Sequence, residues 1–389
     1  MDNEKLVPKL RFSGFDYEWN SQKFKDNLDI KSGKGFKASE YTNSGIPLIK
    51  IDNVSYGKIT WETRDYLPNE YLVTYPELIL RKNDVVLALN RPITNNKLKI
   101  AKLSDKDELS ILYQRVGKIF IDENNLDREF VFHLLNKEIF KFVLKNSVGS
   151  DQPFISTNKL KELELKIPSL KEQQKIGNFL YLINYKLELL ENKHKLYLDF
   201  KKYLMQQIFA QNLRFDFTYD WKKTKLGKIT QINTGNKDVK DKVDNGEYPF
   251  FVRSENIERI NSYSYDGEAI LIPGDGKIGE VYHYINGKFD YHQRVYKISD
   301  FKSNVDGKYI YYYLEKNFLR QALKNTAKAT VDSLRRDTLT KMPIELPSLE
   351  EQLKIADVLS IADDKIKLVE KDIKIIKDFK RGLLQQMFV

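Results

Sequence analysis

A handful of segments in this chain combine residue types at spacings that could do chemistry. Gly274-Asp275-Gly276-Lys277-Ile278-Gly279 has the glycine spacing of a dinucleotide fingerprint. A true fingerprint opens a helix inside a βαβ unit, with an acid about 20 residues further on. Here Val281-Tyr282-His283-Tyr284 continues as a strand pattern. The glycines therefore read as a β-turn, with Lys277 at its tip and within reach of a phosphate. Glu164-Leu165-Lys166 matches the last part of a metal-dependent nuclease motif, but such triplets recur by chance and the corresponding stretch of the second half reads Pro343-Ile344-Glu345. His133, His194, His283 and His292 show no metal-ligand spacing. The acidic-proline-proline-aromatic motif of adenine N6-methyltransferases, their glycine-rich cofactor loop and a Walker A motif are all missing from the sequence. The absence of cysteine excludes disulfides, thiol catalysis and thiolate zinc sites, and it fits a reducing cytoplasm. The chemistry left to this chain is that of binding.

The binding residues gather in turn-like stretches: Lys31-Ser32-Gly33-Lys34-Gly35-Phe36-Lys37, Arg91 with Thr94-Asn95-Asn96-Lys97, and Gly149-Ser150-Asp151-Gln152 in the first half, then Thr234-Gly235-Asn236-Lys237 and the segment from Lys328 to Arg336 in the second. Glycine permits close approach of backbone to a polyanion. Lys and Arg meet phosphate, and Asn, Gln and Arg pair with base edges. The candidate DNA contacts are Lys34, Lys37, Arg91, Lys97, Ser150, Gln152, Lys237, Lys277, Lys328, Arg335 and Arg336. Any one of these lysines reads as solvated surface; the set carries the information. The net charge of +10 and 31% charged residues agree with a polyanionic partner. No apolar signal-peptide core follows Met1, and the run from Val85 to Leu89 is far too short to span a bilayer.

The elements that must position these residues come in two copies. Ile167-Pro168-Ser169-Leu170 with Glu172-Gln173 and Lys175-Ile176 returns as Leu346-Pro347-Ser348-Leu349 with Glu351-Gln352 and Lys354-Ile355. At the same offset, Gln114-Arg115-Val116 returns as Gln293-Arg294-Val295, and Gln206-Gln207 as Gln385-Gln386. The front of each copy aligns at a longer offset, Trp19 with Trp221, Gly33 with Gly235 and Pro47 with Pro249, so the middle of the first copy is longer. Similar ends around divergent middles describe a duplicated scaffold carrying two different modules. A duplicated enzyme would be expected to keep its catalytic residues in both halves.

Residues 171–210 and 350–389 contain no proline and almost no glycine, and apolar residues recur in alternating steps of four and three. One stripe runs Ile176, Leu180, Ile183, Leu187, Leu190, His194, Tyr197, Lys201, Leu204, Ile208; the other runs Ile355, Leu359, Ala362, Ile366, Val369, Ile373, Ile376, Lys380, Leu383, Met387. A sustained heptad stripe predicts a coiled-coil seam. Ser169 and Ser348, three residues before Glu172 and Glu351, predict capping boxes. His194 is expected at a half-exposed seam position, with a register-setting or partner-facing role as the sharper alternative, and Lys201 and Lys380 are expected to snorkel outward or mark where the helices splay. The helices could dimerise two chains; the duplication favours an internal antiparallel pair. Strands are predicted at 84–89, 116–121, 269–272 and 295–298, with a closing helix in each module near 127–145 and 306–325.

Over essentially its whole length the chain resembles the specificity subunits of type I restriction–modification systems. The resemblance rests on Pro8-Lys9-Leu10-Arg11-Phe12 leading to Trp19, and on the Pro-Ser-Leu-x-Glu-Gln-x-Lys-Ile helix starts at 168–176 and 347–355. It also rests on the helix ends Gln206-Gln207-Ile208-Phe209 and Gln385-Gln386-Met387-Phe388, and on the loop Gly149-Ser150-Asp151-Gln152-Pro153-Phe154-Ile155. The second copy departs from that loop with Thr330-Val331-Asp332-Ser333-Leu334-Arg335. The resemblance implies an α+β fold with a pseudo-two-fold internal repeat: a first target-recognition domain at 1–166, a spacer helix at 167–211, a second recognition domain at 212–345 and a second spacer helix at 346–389. It implies a non-catalytic cytoplasmic subunit, in a bacterial or archaeal nucleoid, that reads a split, asymmetric site in double-stranded DNA. Two modification subunits that bind S-adenosylmethionine and methylate adenine are the implied partners, with two restriction subunits using ATP and magnesium as optional ones. No cofactor and no membrane contact is expected for this chain. A free-standing DNA-binding or adaptor protein of the same build is the alternative.

Overall fold

The computed structural model describes residues 6–107, 109–146, 154–215, 219–276, 278–323 and 333–389. Contacts divide the chain into two units. Unit 1 comprises residues 1–189 with 373–389, and unit 2 comprises residues 190–372.

Unit 1 is built on a four-stranded sheet. Its strands are β1 (Leu28–Ser32), β2 (Val85–Ala88), β3 (Ile100–Lys102) and β4 (Val116–Ile121), in the order β1-β4-β2-β3. The strands are short and β-branched, and Val85 to Ala88 is buried on both faces, as a central strand should be. A second sheet joins 46–49 and 110–112, a parallel pair that recurs in unit 2 as Phe250 with Asp290, to strands at 66–67 and 79–80 from the longer middle of the first copy. Its core, around Leu48, Ile49, Leu80 and Ile111, also takes in Val86, Ala88 and Ala101 of the first sheet. Helix α1 (Arg128–Asn146) closes the module and buries Phe130, Leu134 and Ile139.

The long helix α2 (Leu170–Phe209) contributes its first half to unit 1 and its second half to unit 2. Unit 2 is built on one six-stranded sheet. Its strands are β5 (Gln231–Thr234), β6 (Tyr248–Phe251), β7 (Ile257–Ile260), β8 (Tyr265–Pro273), β9 (His283–Tyr291) and β10 (Val295–Ser299), in the order β5-β10-β8-β9-β6-β7. Helix α3 (Gly307–Leu323) closes this module, and α4 (Leu349–Gln386) is the second long helix. The register repeats between units: Ile30 pairs with Ile119 in unit 1, and Ile232 with Ile298 in unit 2. These are the same two positions of the duplicated sequence.

The aromatic cores repeat as well. Trp19 packs edge-on against Phe130 and Phe388 in unit 1. Trp221 packs against Tyr309, and Tyr309 against Phe209, in unit 2. The end of α4 thus fills unit 1 where the end of α2 fills unit 2. Each aromatic pair adds about 0.5–1.5 kcal/mol beyond the area it buries.

The long helices start within a residue of the predicted positions. All ten seam residues of each stripe are buried or half-buried. Within unit 2 the helices run antiparallel, because His194 of α2 meets Glu370 of α4 at 2.9 Å while Lys201 meets Asp363 at 2.8 Å. The expectation that Lys201 snorkels outward is overturned. Its side chain is 12% exposed, and its ammonium is shared by Glu315 and Asp363 at 3.0 and 2.8 Å. A buried cation needs such partners. Burial pushes the Glu315 carboxyl up, and the Lys201 charge opposes that shift.

Of the predicted capping boxes the structure shows one serine half, and the Glu-Gln pairs do something else. The Glu351 backbone N–H donates to the Ser348 hydroxyl at 3.3 Å. The carboxylates, however, face elsewhere. Glu172 accepts the Arg11 guanidinium at 2.8 and 2.8 Å, and Glu351 accepts that of Arg214 at 3.1 and 2.9 Å. Gln173 accepts the Asp127 N–H and donates to the Pro168 carbonyl; Gln352 does the same with Asp306 and Pro347. The motif is a latch that fixes the start of each long helix to the front of its module and to the closing helix.

Candidate nucleic-acid interface

In both units irregular segments cross at one end of the main sheet, and the same backbone hydrogen bonds hold them. In unit 1 the Gln114 N–H donates to the Lys34 carbonyl at 2.9 Å, Leu89 N–H to Arg115 at 2.8 Å, and Ile155 N–H to Leu89 at 2.8 Å. In unit 2 Gln293 N–H donates to Lys237 at 2.8 Å, Gly274 N–H to Arg294 at 2.7 Å, and Leu334 N–H to Gly274 at 2.8 Å. Gly33 and Gly235 explain why glycine stands here. A Cβ at Gly33 would lie 2.2 Å from the Leu112 carbonyl oxygen, and one at Gly235 would lie 1.9 Å from that of Tyr291. Buried peptide groups must be paired, and the crossing achieves that while leaving the side chains of its turn outside. Gln114, Arg115, Gln293 and Arg294 are all exposed, and Arg115 holds φ 65°.

The predicted contact residues divide accordingly. Lys34 sits at the unit 1 crossing, bridged to Tyr113, with its ammonium 2.8 Å from the Tyr75 hydroxyl and 4.1 Å from that ring's centre. Lys37 lies three residues on, exposed, its N–H donating to Glu40 at 2.6 Å. Arg91 is exposed at φ 46° and follows Asn90, which bridges Phe154 across the crossing. Lys97 ends a tight hairpin whose Asn95 and Asn96 are both left-handed, with its ammonium 5.4 Å from the Tyr56 ring centre. In unit 2 Lys237 is bridged to His292, Arg335 follows Leu334 directly, and Arg336 lies 3.5 Å from Asn233 Oδ1. The crossings therefore gather Lys34 and Arg91 in one unit and Lys237, Arg335 and Arg336 in the other. Ser150, Gln152, Lys277 and Lys328 lie outside the described residues.

Sequence reasoning passed over the Gln–Arg turn itself, although its identity in both copies was the available signal. It also passed over the residue beside it. Asn90 and Asp275 occupy equivalent places, each bridging the segment that closes the crossing, Phe154 and Ser333 respectively. Asp275 accepts Arg294 at 2.8 Å and Arg253 at 3.1 Å. Burial pushes the Asp275 carboxyl up, yet the two guanidiniums outweigh it and hold the group below the usual carboxylate range. His292 is buried, and its Nδ1 accepts the Arg294 N–H at 2.9 Å. Burial, helped by the nearby Arg253 charge, lowers its pKa and keeps the ring neutral, as an accepting Nδ1 requires.

The other sequence features find structural roles. Among the described residues the glycines at 274–280 form a turn that leads into β9, and Glu164-Leu165-Lys166 lies in a strand paired with residues 20–23. No group of three or more His, Asp or Glu side chains among the described residues could hold a metal ion, and no described helix is long and apolar enough to cross a membrane.

Comparison with known proteins agrees with this duplicated design. The family model of the type I restriction modification DNA specificity domain matches twice, over residues 17–196 and 219–378. A type I restriction enzyme specificity subunit of Methanocaldococcus jannaschii is 42% identical over 198 residues, covering 51% of this chain and 47% of that protein. One from Escherichia coli is 31% identical over 170 residues, covering 42% of this chain and 37% of its own length. The matches therefore span less than half the length of these curated relatives. The crystal structure of a type I restriction–modification S subunit from M. genitalium aligns with a TM-score of 0.69 at 16% identity, over 98% of this chain and 99% of that one, and so shares the fold. With both copies matched, the chain belongs to the type I restriction–modification DNA specificity family.

Proposed function

We propose that this chain reads a bipartite, asymmetric site in double-stranded DNA, one half with each unit, and brings two adenine-methylating modification subunits to it. The observation that carries this reading is the duplicated crossing. One backbone frame twice presents an exposed Gln–Arg turn among lysines and arginines, on modules whose middles differ. A shared frame suits the phosphate contacts common to any duplex, and divergent middles suit the reading of two different base sequences. The +10 charge supports a phosphate partner.

The long helices support a docking role. Outside the seam, Leu182, Leu189, Leu196 and Tyr203 recur every seven residues along α2, 51–67% exposed. Ile361, Leu368 and Ile375 do the same along α4, 52–60% exposed. A second, uncovered heptad stripe is what a partner helix would need. S-adenosylmethionine would then be held by the modification subunits, and ATP and magnesium by restriction subunits where these join, in the cytoplasm. The helices, 40 and 38 residues long, would set the distance between half-sites.

The test is to express the chain with a type I modification subunit that co-purifies with it and to map methylated adenines. Methylation confined to one bipartite motif, and requiring both proteins, is expected. Tight binding of S-adenosylmethionine by the isolated chain, or methylation by it alone, would overturn the reading.

A further inference from the structure

The two crossings share a frame and differ in charge. In unit 2 one carboxylate, Asp275, holds two arginines: Arg294 Nη1 at 2.8 Å, and Arg253 Nη1 at 3.1 and 3.3 Å from its two oxygens. In unit 1 the place of Asp275 is taken by Asn90, and by the alignment of the copy fronts the place of Arg253 is taken by Ile51. Arg115 is kept, but without a carboxylate at the position that holds Arg294. The duplication thus retains the turn and changes what aims it.

The cluster is built as a presenting device. The Asp275 side chain is 19% exposed, while Arg253 and Arg294 are 42% and 64% exposed. The backbone around Arg294 is fixed on both sides, its N–H by His292 and its carbonyl by Gly274. Gln293 beside it is held through Nε2 by Asp238 at 3.1 Å. A guanidinium has five N–H donors, and the ion pair uses only some of them. An arginine on a mobile surface loses rotamer freedom when it binds; one already held by a carboxylate loses less. Two cations on one anion also leave a net positive charge at the rim.

We propose that Arg294, aimed by Asp275 and backed by Arg253, is a base-reading fork of unit 2 that pairs with the O6 and N7 edge of one guanine in the half-site read by that unit. The planar guanidinium offers that pair of acceptors two parallel N–H donors in a rigid fork, where lysine offers a single ammonium on a flexible stem. The inference rests on the reading of the chain as a sequence-specific DNA-binding protein. It adds that the two half-sites differ at the base facing the Gln–Arg turn because only one turn carries an acid behind it.

The test is selection of duplexes by the full chain from a library with two randomised segments. The variants are Arg294→Lys and Asp275→Asn, the second giving unit 2 the amide of unit 1. Both should lower the preference for one G·C pair in one half-site, on the order of 10- to 100-fold for Arg294→Lys, from the discrimination a bidentate contact supplies. The other half-site and the melting temperature of Arg294→Lys should stay at wild-type values. Unchanged base preference in both variants would overturn the fork. A loss of affinity spread evenly over all sequences would also overturn it, since that is the mark of a phosphate contact. Failure of the wild-type chain to select any sequence would instead overturn the DNA-reading function itself.

Discussion

Glu172 and Glu351 show how a short motif becomes structure. Each is 1% exposed, a position no carboxylate occupies without partners, and each has an arginine fork from the front of its own module. His133 is the opposite case, a titratable group kept neutral. It is buried against Asn184 at 3.2 Å, and burial, reinforced by the Lys380 and Lys102 charges, pushes its pKa down to about 3. The unfolded chain binds that proton near pH 6.5. This contribution to stability is therefore complete above about pH 6.5 and is lost as pH falls toward 3. A single proton difference changes stability by at most about 1.4 kcal/mol per pH unit, so about 2 kcal/mol disappears between pH 6.5 and 5. Denaturant unfolding followed in unit 1 should show that slope, and His133→Gln should flatten it. An equal slope in both proteins would show that His133 is charged in the folded state.

Among the elements, the long helices were the most legible in sequence, because a heptad stripe is a local signal sustained over many residues and Pro-Ser marks its start. The strands at 85–88, 116–121 and 295–299 were legible from β-branched runs, and the closing helices from their period. The crossings were not. They depend on hydrogen bonds between backbone groups of distant irregular segments, which leave no periodicity, so the sequence marks Lys34 and Arg91 singly and does not bring them together. Lys201 was misjudged for a related reason: its partner Glu315 belongs to α3, and no pattern within α2 announces it. The heptad repeat itself makes a testable statement about spacing. Removing one heptad from each long helix, residues 187–193 and 371–377, preserves both seams and shortens each helix by about 10 Å at 1.5 Å per residue. At 3.4 Å per base pair the preferred non-specific spacer should shrink by about three base pairs, with both half-sites unchanged. Mapping methylation by the assembled complex measures this; an unchanged spacer would show that the helices are not the ruler.

On the scale of the whole molecule, the duplication is what joins fold to function. Each unit carries its own aromatic core, its own latch and its own crossing, and each core is completed by the far end of a long helix, Phe388 in unit 1 and Phe209 in unit 2. Sequence reasoning reached this plan through the repeated motifs, and the strands at 66–67 and 79–80, which flank a parallel pair that both units share, fall in the longer middle of the first copy. What the repeat does not specify is which bases each module would read, since under this proposal that depends on side chains the copies do not share, such as Asp275 and Arg253, and on how they aim those the copies do share. The central claim is that the two modules read DNA independently on a common scaffold. Its most direct test is to replace residues 215–345 with the corresponding module of another family member and to map the recognised site again. The account predicts that one half-site changes to that of the donor while the other half-site and the spacer stay the same. A change in both halves, or in neither, would contradict it.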